Sequence, residues 1–101
     1  MMKKCLCCGY LTIENRADFD ICPVCFWEDD QYIIFDEDSN SIHTLYQGDK
    51  DIPEEKLLDI PSGANHGLTL REGRENYKKF GACEQSMVKH VRTPKKSEYP
   101  N

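Results

Sequence analysis

The sequence predicts a small α+β domain, with a cysteine-bearing β-hairpin in its N-terminal half and helices after it. Three observations lead there. Cysteines at 5, 8, 22 and 25 make the spacing C-x2-C-x13-C-x2-C. Short alternating or β-branched runs follow in the first half of the chain. One well-capped amphipathic helix stands out in the second half.

The chain has 101 residues, enough for one compact domain. Charged residues make up 31% of it, and Leu, Ile, Val and Phe together number only 21. That is close to the level of about 20% below which chains tend to stay disordered, so a core built from these alone would be thin and would need a staple. Six cysteines are the candidates, five of them within the first 25 residues.

Taken in order, Tyr10 to Glu14 alternates and predicts a short strand, and Asp18 to Ile21 predicts a second strand leading back into Cys22. Tyr32 to Phe35 and Ile42 to Tyr46 read as a hairpin around the turn 36–41. Pro53 to Leu58 reads as one helical turn, with Pro53 suited to its first position. Residues 61–67 form a loop. Thr69 and Glu72 have the spacing of a capping box. Leu70, Arg74, Tyr77 and Phe80 then share one helix face, and Gly81 is the stop. Gly73 inside this helix costs about 1 kcal/mol relative to Ala, which points to close packing there or to plain tolerance. A second short helix is expected from Glu84 to Val91, and a loose tail after Pro94. Ile13, Phe19, Trp27, Leu70, Tyr77, Phe80, Met87 and Val91 are the expected core.

The cysteine spacing is the strongest chemical signal. A C-x2-C turn places two sulfurs on one side of a tight loop, and two such turns make a tetrahedral all-sulfur metal site. Gly9 suits the position closing the first turn, where positive φ is often needed, and Pro23 stiffens the second. The expected ligands are Cys5, Cys8, Cys22 and Cys25, with Cys7 outside the shell on spacing grounds. Zinc is the expected metal and iron the lesser alternative, since tetrahedral thiolate geometry suits both. Such a closed site is structural, because catalytic zinc keeps an open position. Disulfides are the competing reading.

Other chemistry is thinly represented. Ile21 stands where the zinc deaminases have proline before the second cysteine pair, and there is no H-x-E. H-E-x-x-H, the phosphate-binding G-x-x-x-x-G-K-[ST] and G-x-S-x-G are absent as well. Cys83 and His90, seven residues apart, would share a face of a continuous helix. A thiol–imidazole pair can be nucleophilic, but the plainer reading packs Cys83 as a small hydrophobe and leaves His90 on the surface. His66 sits in a loop that could approach an anion, or in a simple turn. Glu28, Asp29 and Asp30 read as a solvated acidic turn, and Trp27 as core.

Charge is unevenly spread. Residues 28–59 carry eleven carboxylates against two lysines, whereas residues 71–96 carry eight Lys or Arg against three Glu. The bland reading is two solvated faces; the sharper one is that one block meets a partner of opposite charge. Met1-Met2-Lys3-Lys4 runs straight into cysteines, so no secretory leader is expected. The longest apolar runs are four residues against the roughly 20 of a membrane span, so no membrane partner is expected. A cysteine-rich chain of this kind is expected in the cytoplasm, where thiols stay reduced.

Cys5-Leu6-Cys7-Cys8-Gly9-Tyr10 and Ile21-Cys22-Pro23-Val24-Cys25-Phe26-Trp27-Glu28-Asp29-Asp30 resemble the bacterial cysteine-rich CPCC family. So does Ser62 to Glu72, continuing through Asn76-Tyr77 to Phe80-Gly81-Ala82-Cys83. The resemblance covers residues 5–30 and 61–92. It departs at Leu6, where the family has proline, at Gly73, where alanine is usual, and in the length of residues 31–60. It implies a small zinc-ribbon-like bacterial protein and supplies no mechanism; some members carry a hydrolase label that no residue here supports.

The resulting expectation is a single zinc-binding domain over residues 1–96. It comprises a cysteine module (3–30), an acidic elaboration (31–60) and a helical part (68–92), followed by a tail (97–101). The expected role is a non-catalytic module that binds a macromolecular partner, such as a basic nuclease toxin that it neutralises. A nucleic-acid-binding zinc ribbon is one alternative, weakened by the net charge of −5. A hydrolase-like enzyme using Cys83 or an open metal site is the other.

Overall fold

The computed structural model describes residues 2–30, 34–36, 41–43 and 54–100. Strands β1 (Lys3–Lys4) and β2 (Leu11–Ile13) pair antiparallel, Lys3 opposite Ile13 and Lys4 opposite Leu11. The first cysteine pair is the loop of this hairpin. Strands β3 (Ile34–Asp36) and β4 (Ser41–His43) form a second antiparallel pair with Phe35 opposite Ile42. Helix α1 (Glu54–Leu57), a 3-10 turn (Gly63–Asn65), helix α2 (Leu70–Phe80) and 3-10 turns at Gln85–His90 and Lys96–Glu98 complete the described residues. This is a small α+β arrangement. None of the described helices is long and apolar enough to cross a membrane.

The partner of β2 differs from expectation. Residues 18–21 are not its return strand; Ile21 makes only an isolated bridge to Glu28. The reason lies in the intervening turn. Asp20 Oδ2 accepts the amides of Glu14 and Asn15 at 3.1 and 2.9 Å. Ala17 and Phe19 adopt φ of 57° and 62°, a left-handed conformation that breaks a strand. The second hairpin occupies part of its expected range; residues 32–33, 37–40 and 44–46 lie outside the described residues, as does Pro53 ahead of α1.

Helix α2 follows its local signals. Thr69 Oγ1 accepts the Glu72 amide at 3.1 Å, and Glu72 returns the bond to the Thr69 amide at 2.9 Å. Gly81 ends the helix at φ 83° and donates to the Tyr77 carbonyl. The next segment is a 3-10 turn and not the expected α-helix. Glu84 precedes it in extended conformation and makes no capping bond; one oxygen of its carboxylate, Oε1, faces His66 instead.

The tail is tied down instead of loose. Arg92 grips Glu98 through two bonds of 2.8 Å, and Tyr99 stands edge-on to Tyr10 with ring centroids 5.1 Å apart.

Sulfur makes up much of the buried core. Cys5, Cys7, Cys22, Cys25 and Cys83 are buried with Leu6, Ile13, Val24, Trp27, Leu57, Leu70 and Ala82. Of the expected core, Phe19 and Phe80 are exposed, while Tyr77, Met87 and Val91 are half-buried. Phe19 sits in the left-handed turn, and Phe80 is the last residue of α2, beyond the stripe that meets the cysteines.

The helical half is bolted to the cysteine turns through their backbone. Arg74 Nε donates to the Leu6 carbonyl at 2.8 Å, the Cys83 amide to the Cys25 carbonyl at 2.8 Å, and the Arg92 amide to the Pro23 carbonyl at 3.1 Å. Gly73 lets α2 approach closely: a Cβ there would lie 2.8 Å from Trp27 Cζ3. Close packing, and not mere tolerance, therefore accounts for glycine at this position.

Candidate metal centre

Both cysteine turns are built on one backbone plan. In the first, the Cys5 amide donates to the Tyr10 carbonyl at 2.8 Å and the Gly9 amide donates back to the Cys5 carbonyl at 2.9 Å. In the second, the Cys22 amide donates to the Trp27 carbonyl at 2.9 Å and the Phe26 amide to the Cys22 carbonyl at 2.8 Å. Each turn thereby closes through a main-chain pair that points its two sulfurs to one side. Amides within the second turn also point at sulfur, Val24 at Cys22 and Trp27 at Cys25, at 3.4 and 3.5 Å.

The turns face each other. The sulfurs of Cys5, Cys8, Cys22 and Cys25 all lie within 4.8 Å of one another, with Cys5 to Cys25 at 3.6 Å and Cys8 to Cys22 at 3.7 Å. A disulfide needs about 2.05 Å, and all six cysteines are free. A tetrahedron with metal–sulfur arms of about 2.3 Å has edges of about 3.8 Å, which the two shorter separations match. The four side chains could therefore hold a metal ion. Cys7 and Cys83 are buried but lie outside this group.

The electrostatics of four crowded sulfurs favour a cation. The neighbouring sulfur of Cys22 raises the thiols of Cys5, Cys8 and Cys25, and burial adds to it. Cys22 is driven down by the thiols of Cys25, Cys5 and Cys8 crowded around it and then by the Thr12 hydroxyl. Four thiolates cannot coexist here without a compensating charge, which a bound metal cation would supply.

Thr12 is a functional residue that the sequence reading missed. Its hydroxyl stands 2.9 Å from Cys22 Sγ. The only signal was its central place in a strand that starts just after the first cysteine pair, which does not single it out.

The acidic turn after Trp27 also differs from expectation. Asp29 and Asp30 are buried at 1% and 4% exposure. Asp29 accepts Arg16 Nη1 at 2.5 Å and the Ala17 amide at 2.6 Å, and its own carbonyl accepts the Phe19 amide. It thus holds the left-handed turn between the two cysteine pairs. Burial raises its carboxyl despite Arg16. Asp30 accepts Ser62 Oγ, whose oxygen in turn accepts Asn65 Nδ2 at 2.9 Å. These carboxylates brace the site from behind; they are not a solvated face.

Cys83 packs at 3% exposure, and burial pushes its thiol up to about 12. Among the described residues no hydrogen bond joins it to His90, whose ring lies 5.6 Å from that of Phe26. His66 turns through φ 59° and pairs with Glu84 at 2.6 Å.

A family model described as cysteine-rich CPCC matches residues 3–50 and, in a second overlapping match, residues 31–98. No curated protein and no solved structure matches the chain.

Proposed function

The chain belongs to the cysteine-rich CPCC family, and from that premise we propose that it is a zinc-stabilised, non-catalytic module that binds a basic protein partner. The observation that carries the first half is the group of four sulfurs within 4.8 Å. All four positions of a tetrahedral ion are filled by protein ligands, which leaves none for substrate. Each cysteine turn is closed by a short antiparallel pairing, β1 with β2 and Ile21 with Glu28, and this supports a zinc-ribbon-like reading. Cytoplasmic thiols suit such a site.

The second half rests on charge. Of the eleven carboxylates in residues 28–59, Asp29 and Asp30 are buried and Asp59 holds Arg71; the other eight, against two lysines, favour a basic partner. The basic block is less available than its count suggests. Arg71 is held by Asp59 at 2.8 Å, Arg74 by the Leu6 carbonyl and Arg92 by Glu98. This supports a protein partner over nucleic acid. Buried, unactivated Cys83 lends no support to an enzymatic role.

Metal analysis of protein purified without added metal tests the first half. One zinc per chain is expected, lost together with the fold in Cys22→Ser. A metal-free chain that unfolds cooperatively would overturn it, and a red protein would mean iron. Capture of partners in low and high salt tests the second. Loss of the partner in high salt is expected, and salt-insensitive capture would remove the acidic surface from the explanation.

A further inference from the structure

One face of the second cysteine turn forms the wall of a cavity outside the metal centre. Phe26, Glu28, His66, Cys83, Glu84 and Met87 line it. The walls come from three segments that other contacts hold in place. Buried Asn65 takes the Glu28 amide on Oδ1 at 2.7 Å and donates from Nδ2 to the Glu28 carbonyl at 2.9 Å. The Cys83 amide is fixed to the Cys25 carbonyl, and Asn76 Nδ2 holds the Cys83 carbonyl at 2.9 Å. The cavity is therefore preformed.

Its chemistry is specific. Among the described residues the Glu28 carboxylate has no hydrogen-bond or ionic partner, although its backbone is clamped on both sides. Glu84 uses Oε1 for His66 and keeps Oε2. Phe26 supplies an aromatic surface, held at φ 73° by the geometry of the turn. Met87 supplies a soft apolar wall. Two carboxylates, an aromatic surface and a thioether together suit a flat cation on an alkyl stem. A guanidinium offers a planar fork to carboxylates and stacks on aromatic faces, which a compact ammonium does less well.

We propose that this cavity is a recognition pocket for an arginine side chain of the protein partner, with Glu28 and Glu84 binding the guanidinium, Phe26 stacking on it and Met87 packing along its stem. The proposal rests on the reading of a basic partner and deepens it: the acidic segment attracts over a distance, and the pocket selects one side chain.

The test is amide NMR on the full zinc-loaded chain titrated with N-acetyl-arginine amide, up to the roughly 10 mM that a single side chain requires. Saturable shifts at Phe26, Ala64–His66 and Cys83–Met87 are expected. N-acetyl-citrulline amide, uncharged but nearly the same shape, should bind at least about fivefold more weakly, as should the arginine amide to Glu28→Gln. Glu28→Gln keeps both backbone bonds to Asn65, so an unchanged spectrum elsewhere shows that it is folded. Absence of shifts, equal binding of the citrulline or lysine amide, or undiminished binding to both Glu28→Gln and Glu84→Gln would overturn the pocket. Tighter binding of free arginine than of the capped amide would overturn the protein source. Partner capture undiminished by Glu28→Gln would remove the pocket while leaving the acidic-surface reading standing.

Discussion

Gly9 and Phe26 hold the same place in the two cysteine turns. Each follows the second cysteine of its pair, adopts positive φ (85° and 73°) and donates its amide to the carbonyl of the first, Cys5 or Cys22. The backbone requirement is common to both; only the first turn meets it with glycine. Nothing lies within 4 Å of a Cβ at Gly9, so Gly9→Ala carries a purely conformational penalty. Chemical denaturation should find it about 1 kcal/mol less stable. Phe26→Gly relieves the same strain but forfeits its partly buried ring and the contact with His90, and should show no net gain.

Thr12 would tune a metal held by the four cysteines through its contact with Cys22. Thr12→Val keeps the shape of the side chain and removes the hydroxyl 2.9 Å from the sulfur. Loss of a bond to a metal ligand typically lowers affinity by about 10- to 100-fold. Competition with a chromophoric chelator should read this loss while the metal-loaded fold stays intact.

Gly73→Ala places a methyl 2.8 Å from the Trp27 ring and 3.4 Å from Cys7 Sγ. Overpacking costs about 1–3 kcal/mol, against a gain of about 1 kcal/mol in helix propensity. A net loss of about 1 kcal/mol is expected, with a shift in Trp27 fluorescence as the ring moves.

Asp29 is fully buried against Arg16, and removing one partner of a buried pair leaves the other uncompensated. Asp29→Ala should cost about 3 kcal/mol and free the turn at residues 14–20. Asp29→Asn, which can still accept the Ala17 amide, should cost less. Hydrogen exchange at the Ala17 and Phe19 amides would separate the two variants.

The tail contact has a pH signature. Two bonds from Arg92 hold the Glu98 carboxyl at about 2, below its ordinary 4.5. The folded value lies under the unfolded one, so the pair adds stability above about pH 4.5 and loses it as the pH falls toward 2. Arg92 is exposed, so solvent screening keeps the contribution small. Carboxyl-detected NMR should see no Glu98 titration between pH 7 and 3.5, and Arg92→Ala should bring a step back near 4.5.

The parts of this protein legible in its sequence are those whose causes lie within a few residues. Two C-x2-C turns need their sulfurs and a tight closure inside six positions, and Gly9 marks the residue of positive φ in the first; Phe26 gives no such mark in the second. The α2 boundaries follow from Thr69 and Glu72 bonding each other and from Gly81 ending the ladder. Such requirements are met locally whatever the rest of the chain does.

What only the tertiary structure decided concerns residues whose neighbours arrive from far away in sequence. Asp29 and Asp30 look like solvent-facing charges until Arg16 and Ser62 meet them. Lys3–Lys4 carries no strand pattern, yet it pairs with β2 because the first cysteine turn folds the chain back. The tail holds through Arg92 and Tyr10, and the cavity joins three segments. Burial and pairing depend on which distant groups supply partners for a charge or an amide, and one strand of alternating letters contains no record of that meeting.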